Sequence, residues 1–182
     1  MGPREVKGMP LTSWGPTGSL FLFRDNHVMV RAWPDDWEER KRGKDCPMCA
    51  EGRPDETPYG IRIKAAAQSD AYLQKQGAVR GYTIVIWRGR HVAEPTGLTE
   101  SEAVAYWAEV LAVARALERC YRPLKMNIEM LGNTLPHLHT HLRPRYQDDP
   151  APFGPLPHGL NDAAFPEDQP WAEAHALRRE LA

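Results

Sequence analysis

The chain is short of several things. Cysteine is scarce, three in 182 residues, too few for the disulfide framework of a small secreted scaffold. No apolar run approaches the roughly 18–20 residues of a membrane span. The opening MGPREVKGMP lacks the apolar core of a signal peptide, so the expected location is the cytoplasm. Net charge is nearly absent, -1 from 23 basic and 24 acidic residues. That balance argues against a broad electrostatic surface for a nucleic acid polymer or an anionic membrane. No internal repeat and no clear domain boundary is visible, and the length suits one domain at about 100–200 residues each. The remaining composition, 42% hydrophobic and 26% charged, is that of a soluble globular protein.

What is present is concentrated. Cys46 and Cys49 form CPMC, whereas Cys120 stands alone. In a reducing compartment an isolated C-x-x-C points to metal or redox chemistry, and as a metal site it supplies half of a tetrahedral set. The other half must come from His or Cys elsewhere. The stretch PHLHTHLRPR, from Pro136 to Arg145, places His137, His139 and His141 at alternate positions.

The rest of the chain reads as alternating strands and helices. SLFLFRDNHVMVRAW has two apolar runs about Asp25 and Asn26 and is expected to form a hairpin. PDDWEERKRGKD is expected to be a solvated loop or a short helix. Strands are expected in IRIKAAA from Ile61, DAYLQKQ from Asp70, GYTIVIW from Gly81 to Trp87, KMNIEMLG from Lys125, and HLHTHLR from His137. The strongest helical signal is LTESEAVAYWAEVLAVARALERCY. Thr99 and Glu102 make a capping-box pattern, and Ala103, Trp107, Val110, Ala114 and Leu117 recur at helical spacing. Residues 147–170 are rich in Pro, Gly and Asp and read as a long surface loop. A last helix starts near Asp168, with Trp171, Ala174, Leu177 and Leu181 on one face.

Side chains two apart in a strand share a face at about 6.5–7 Å. The three histidines would then line one face, with Leu138, Thr140 and Leu142 on the other. Such a face can build a metal cluster, because neutral imidazole is the commonest metal ligand. It can equally hold a nucleophilic imidazole oriented by its neighbour. Arg143 and Arg145 join that face only if the strand continues past Pro144, and the proline counts against it.

HLHTHLR fits the H-x-H-x-H pattern, and its context extends the match. The order C-x-x-C, strand, GYTIVIWRGRHVAE, amphipathic helix, MNIEMLGNTLPHLHTHLRPRY resembles the bacterial branch of the histidine triad nucleotide-binding family over about residues 46–146. The first 45 residues read as an extension outside the match, and 147–182 as a loop and helix that complete the same domain. The resemblance implies an α+β fold, an antiparallel sheet of about five strands with one long helix packed on it, in a homodimer. It also implies hydrolysis or transfer of a nucleoside monophosphate, through attack on an α-phosphorus. His139 is then the nucleophile and His141 the partner that bonds phosphate oxygen or leaving group. Asn133, Thr134, Gln74 and Asn127 are the substrate-binding candidates. A structural zinc is implied on Cys46, Cys49, His91 and His137, a closed set with no open position.

Two departures bear on the substrate. Gln74 stands where family members often carry an Asp that grips the ribose hydroxyls, and Tyr82 stands where a His is frequent. The nucleobase and leaving group are therefore open. So is the choice among a hydrolase, a transferase or phosphorylase with a specific acceptor, a low-turnover nucleotide-binding module, and a metalloenzyme with all three histidines on one ion.

Overall fold

The computed structural model describes residues 33–77, 79–149, 151–156, 165–166 and 168–182. The expected hairpin about Asp25 and Asn26 lies outside them. The chain divides into Met1–Trp33 and Pro34–Ala182, and the second unit carries everything below.

Five strands form one fully antiparallel sheet in the order β1-β2-β3-β5-β4. They are β1 (Gly60–Ala65), β2 (Ser69–Gln74), β3 (Thr83–Trp87), β4 (Lys125–Glu129) and β5 (His139–Arg145). Each of the five strands expected after the cysteines is present, with its ends shifted by up to three residues. The fold is α+β. The charged stretch before the cysteines contains a short helix, α1 (Trp37–Lys41), and CPMC opens α2 (Pro47–Ala50).

The long helix α3 (Glu100–Tyr121) begins at the expected capping box: the Thr99 hydroxyl accepts from the Glu102 N–H, and the Glu102 carboxylate accepts from the Thr99 N–H. It buries Tyr106, Val110, Val113, Ala114, Ala116 and Leu117, while Trp107 is 38% exposed. The buried stripe is thus centred one residue away from the expected one. Tyr106 wins because its hydroxyl can be satisfied inside, bonded to the Val85 carbonyl at 3.1 Å and to Thr140 Oγ1 at 2.8 Å. The last helix, α4 (Gln169–Glu180), has Asp168 at its N-cap and buries Pro170, Ala174 and Leu177. Both helices cover one face of the sheet, where Ile61, Ala71, Leu73, Val85, Trp87, Leu138 and Leu142 form a core with them.

The second face is set by the same alternation. Asp70, Tyr72, Ile84, Ile86, His139 and His141 fall between the core residues of their strands, so they point away from α3 and α4. The strand does continue past Pro144, contrary to the sequence reading. Leu138 accepts from Trp87 on the β3 side and Arg145 accepts from Leu124 on the β4 side. By alternation the backbone nitrogen of Pro144 faces β3, where pairing has ended at Thr83 and Leu142. No ladder bond is lost, so a proline is accommodated there. Arg143 and Arg145 therefore join the histidine face.

Candidate active site and metal centre

Four donors meet where α2 approaches the start of β5. Cys46, Cys49, His91 and His137 offer ligand atoms that all lie within 4.8 Å of one another. Cys46 Sγ is 3.4 Å and Cys49 Sγ 3.5 Å from His137 Nδ1, and Cys49 Sγ is 3.4 Å from His91 Nδ1. A tetrahedral zinc, with bonds of about 2.3 Å to sulfur and 2.0 Å to nitrogen, sets such donors about 3.5 Å apart. The residues fit that ion. His137 Nε2 donates to the Trp87 carbonyl at 2.9 Å, which frees Nδ1 for a metal as an outer partner should. Partial desolvation, and then the adjacent Cys46, push the Cys49 thiol up to about 11. A cation between the two sulfurs reverses that resistance.

Residues before CPMC belong to this arrangement. Gly43 has φ +96, and a Cβ there would lie 2.9 Å from Cγ of His91. The turn thus needs glycine twice, for its backbone angle and for the close approach to the His91 ring. Arg88 ties the cysteine turn to the sheet from the other side. Its Nη1 donates to the Met48 carbonyl at 2.8 Å and its Nε to Asp70 at 2.8 Å. Asp70 is fully buried and also receives Arg53 at 2.8 and 2.9 Å. None of Gly43, Asp70 or Arg88 stands out by motif. The signal available for Asp70 was a charged side chain at the start of an otherwise apolar strand.

His139 and His141 lie next to one another on β5, outside the donor cluster. Their ring centroids are 4.8 Å apart at 68°. His139 Nδ1 is 2.6 Å from the His137 carbonyl oxygen. A carbonyl only accepts, so Nδ1 carries the proton and Nε2 keeps its lone pair. Burial lowers the His139 pKa, with the carbonyl bond opposing it. His141 falls to about 3, through burial first and then His139 and Arg143. Both rings are therefore neutral at neutral pH. With His139 Nδ1 held by a carbonyl and His137 alone among the cysteines, the geometry does not support a single ion on all three histidines.

The register places the remaining candidates. Ile84 pairs with His141 and Ile86 with His139, while across the sheet Glu129 opposes His141 and Asn127 opposes Arg143. Asn127 is thus on the histidine face, where its Nδ2 donates to Glu129 at 3.4 Å. Gln74 receives the next row: its backbone N–H reaches the Tyr82 carbonyl at 2.8 Å and its side chain the Tyr72 carbonyl at 3.1 Å. Asn133 and Thr134 are exposed in the β4–β5 loop, where no hydrogen bond of their side chains is formed among the described residues. Thr134 borders a cleft of about 300 Å³ with Arg40, Lys44 and Cys46, not with His139. Tyr82, read from sequence only as a replacement, touches His141: its hydroxyl is 2.6 Å from Nδ1. Arg143 lies over the Tyr82 ring, 4.6 Å from its centroid. Arg145 is held by Asp149 and the Gly154 carbonyl, so this part of the expected surface loop is anchored to the sheet.

A five-stranded antiparallel sheet with a long helix on one face and alternating histidines on the other defines the histidine triad class. The HIT domain model matches residues 62–148, so this stretch carries a histidine triad (HIT) domain. It is similar to a histidine triad protein from Bradyrhizobium japonicum, with 27% identity and TM-score 0.62 over 68% of this chain and 91% of that one. A HIT protein from Sinorhizobium meliloti shows 25% identity and TM-score 0.60, over 66% and 89%. A zinc-bound histidine triad family protein from Mycobacterium smegmatis shares the fold at 24% identity and TM-score 0.54, over 76% and 94%. No curated protein matches the sequence. Among the described residues, no helix is long and apolar enough to cross a membrane.

Proposed function

We propose that the protein cleaves a nucleoside polyphosphate or phosphoramidate conjugate at the α-phosphate, by way of a nucleotidyl-histidine on His139. The observation that carries this reading is the 2.6 Å bond from His139 Nδ1 to the His137 carbonyl, which leaves Nε2 unprotonated and aimed by the backbone. Nε2 gives its lone pair to the α-phosphorus while the bond from phosphorus to the leaving-group oxygen or nitrogen breaks with its electron pair. The leaving group takes up a proton as it departs. Water then attacks the same phosphorus, the P–N bond to His139 breaks, and nucleoside monophosphate leaves. Two steps replace one, each with a lower barrier. Negative charge gathers on the nonbridging oxygens, where a neutral donor such as His141 supplies stabilisation; Asn133 and Thr134, in the β4–β5 loop, are the further candidate donors. Gln74 offers an uncharged amide to the sugar.

Zinc belongs to the framework in this reading. Held by Cys46, Cys49, His91 and His137, it has no free coordination position and ties α2 and its preceding turn to β5. The zinc-bound Mycobacterium smegmatis structure supports this. A homodimer in the cytoplasm, acting on a small nucleotide rather than a nucleic acid polymer or a membrane, completes the proposal; the near-zero net charge favours it.

The test is a turnover screen of zinc-loaded protein on nucleoside polyphosphates, nucleotide sugars and 5′-phosphoramidates, beside metal analysis of Cys46→Ser. Monophosphate release by the wild type, and loss of the bound zinc in the variant, are expected. Folded, zinc-loaded protein that releases no monophosphate from any of them would overturn the hydrolase. Metal retained without Cys46 would overturn the structural site.

A further inference from the structure

The hydroxyl of Tyr82 and Nδ1 of His141, 2.6 Å apart, form a short contact at the histidine pair that the chemistry above leaves unused. One of the two atoms must donate. We propose that Tyr82, held by Arg143, donates to Nδ1 of His141 and thereby fixes it as the Nε2–H tautomer, a hydrogen-bond donor beside the nucleophile. The inference deepens the reading of the site given above and rests on it for the role of that donor.

The direction of the bond follows from the company Tyr82 keeps. Arg143 Nη2 points at the phenol oxygen from 3.4 Å, a long contact, and its Cζ lies 4.6 Å from the ring centroid. A guanidinium has donors only. It therefore faces a lone pair of the oxygen, and its positive field disfavours a second donor there while making the O–H a better one. Among the described residues, the one acceptor bonded to that hydroxyl is Nδ1 of His141. The reverse arrangement would place two donors on the phenol oxygen and leave its own hydrogen without an acceptor, in a residue only 6% exposed. Burial also raises the Tyr82 pKa, so the hydroxyl keeps the proton it needs to donate.

Arg143 is in turn positioned from β4. Its Nε lies 3.5 Å from Glu129 Oε2, and Glu129 receives Asn127 at 3.4 Å. Arg143 Nε has no hydrogen bond of its own, so the ion pair with Glu129 is what holds the guanidinium. Asn127, expected to bind substrate, acts here on the group that aims Tyr82. The line Asn127, Glu129, Arg143, Tyr82, His141 runs from β4 across β5 to the residue that precedes β3.

The consequence is two adjacent imidazoles with opposite tautomers. His139 carries its proton on Nδ1, toward a carbonyl, and presents a bare Nε2. His141 accepts at Nδ1 and presents Nε2–H. A nucleophile and a donor are thereby made from the same side chain type by what lies behind each ring. Without the Tyr82 hydroxyl, nothing among the described residues behind His141 selects its tautomer, and the Nδ1–H form presents a second lone pair to an anionic substrate.

The experiment is a long-range ¹⁵N–¹H correlation spectrum of the histidine side chains in the zinc-loaded full chain, with His141 assigned by its loss in His141→Gln. Tyr82→Phe, which keeps the ring volume, is compared in the same spectrum and in turnover. The wild type is expected to show an unprotonated, hydrogen-bonded Nδ1 and a protonated Nε2 at His141. Tyr82→Phe is expected to mix or invert the two signals, with kcat reduced about tenfold or more and KM changed less. A protonated Nδ1 in the wild type would overturn the proposal. So would a Tyr82→Phe spectrum with the wild-type tautomer. The spectrum is read without substrate, so it judges the tautomer even if no tested nucleotide turns over, in which case only the role of the donor falls.

Discussion

The two faces of β5 are buried to a similar degree and by different means. On the helix side, Leu138, Thr140 and Leu142 are at most 2% exposed and are held by packed volume, with the one hydroxyl satisfied by Tyr106. On the other side, His139, Arg143 and Arg145 are at most 8% exposed and His141 is half-buried, and each meets a directed partner: a carbonyl for His139, the Glu129 carboxylate for Arg143, the Asp149 carboxylate for Arg145 and the Tyr82 hydroxyl for His141. Volume tolerates exchange among apolar groups of similar size, whereas a directed bond fixes which nitrogen carries a proton. Within β5, one face serves the stability of the fold and the other selects its chemistry, so substitutions on this strand should separate cleanly.

His139→Ala should give the largest effect, monophosphate release lowered by at least about 10³-fold with the urea unfolding midpoint little changed. A parallel loss of stability would erase the contrast between the faces. Asp70→Asn tests whether the histidine face also contributes to the fold. It leaves Arg53 and Arg88 beside a neutral amide, and a destabilisation of about 3–5 kcal/mol is expected, together with weaker zinc retention because Arg88 holds Met48. Leu142→Ala removes volume from the core side at a fully buried position. Urea denaturation should show a loss of about 2–5 kcal/mol, while the molecules that stay folded keep their rate.

The smallest effect belongs to neither face. The Glu102 carboxyl is held down to about 2, by Arg90 first and then by the Thr99 N–H. Its folded value lies below its ordinary one of 4.5, so its contribution is complete above 4.5 and disappears as the pH falls through about 2. Glu102→Gln removes that contribution, so the stability curves of variant and wild type should differ above about 4.5 and converge as the pH falls through about 2. A difference that persists undiminished below that value would contradict the assignment.

Much of this was legible in the residues. Period-two patterns marked five strands, Thr99 and Glu102 marked the start of α3, and Cys46 and Cys49 marked half of a donor set; His91 and His137, which the family resemblance implied as the other half, are adjacent to them in space. What stayed hidden depends on pairing across strands or on a single step of rotation. Tyr106 and Trp107 differ by one position on the helix, and the Val85 carbonyl and Thr140 hydroxyl opposite decide between them. The link from Tyr82 to His141 and Arg143 requires knowing that β3 lies beside β5. Arg143 was discounted because Pro144 suggests a strand end, yet the proline nitrogen faces the side where β3 has already stopped. Asn133 and Thr134 sit at the expected loop but remain exposed, since nothing in the described residues draws them toward His139.

The most direct measurement is rapid-quench mass spectrometry of the protein mixed with whichever nucleotide conjugate it turns over. A covalent adduct of one nucleoside monophosphate, acid-labile and mapped to the peptide containing His139, should form faster than turnover and be absent from His139→Ala. An adduct on another residue, or steady release in the wild type with no adduct at any time and a His139→Ala variant that remains active, would contradict covalent catalysis by His139.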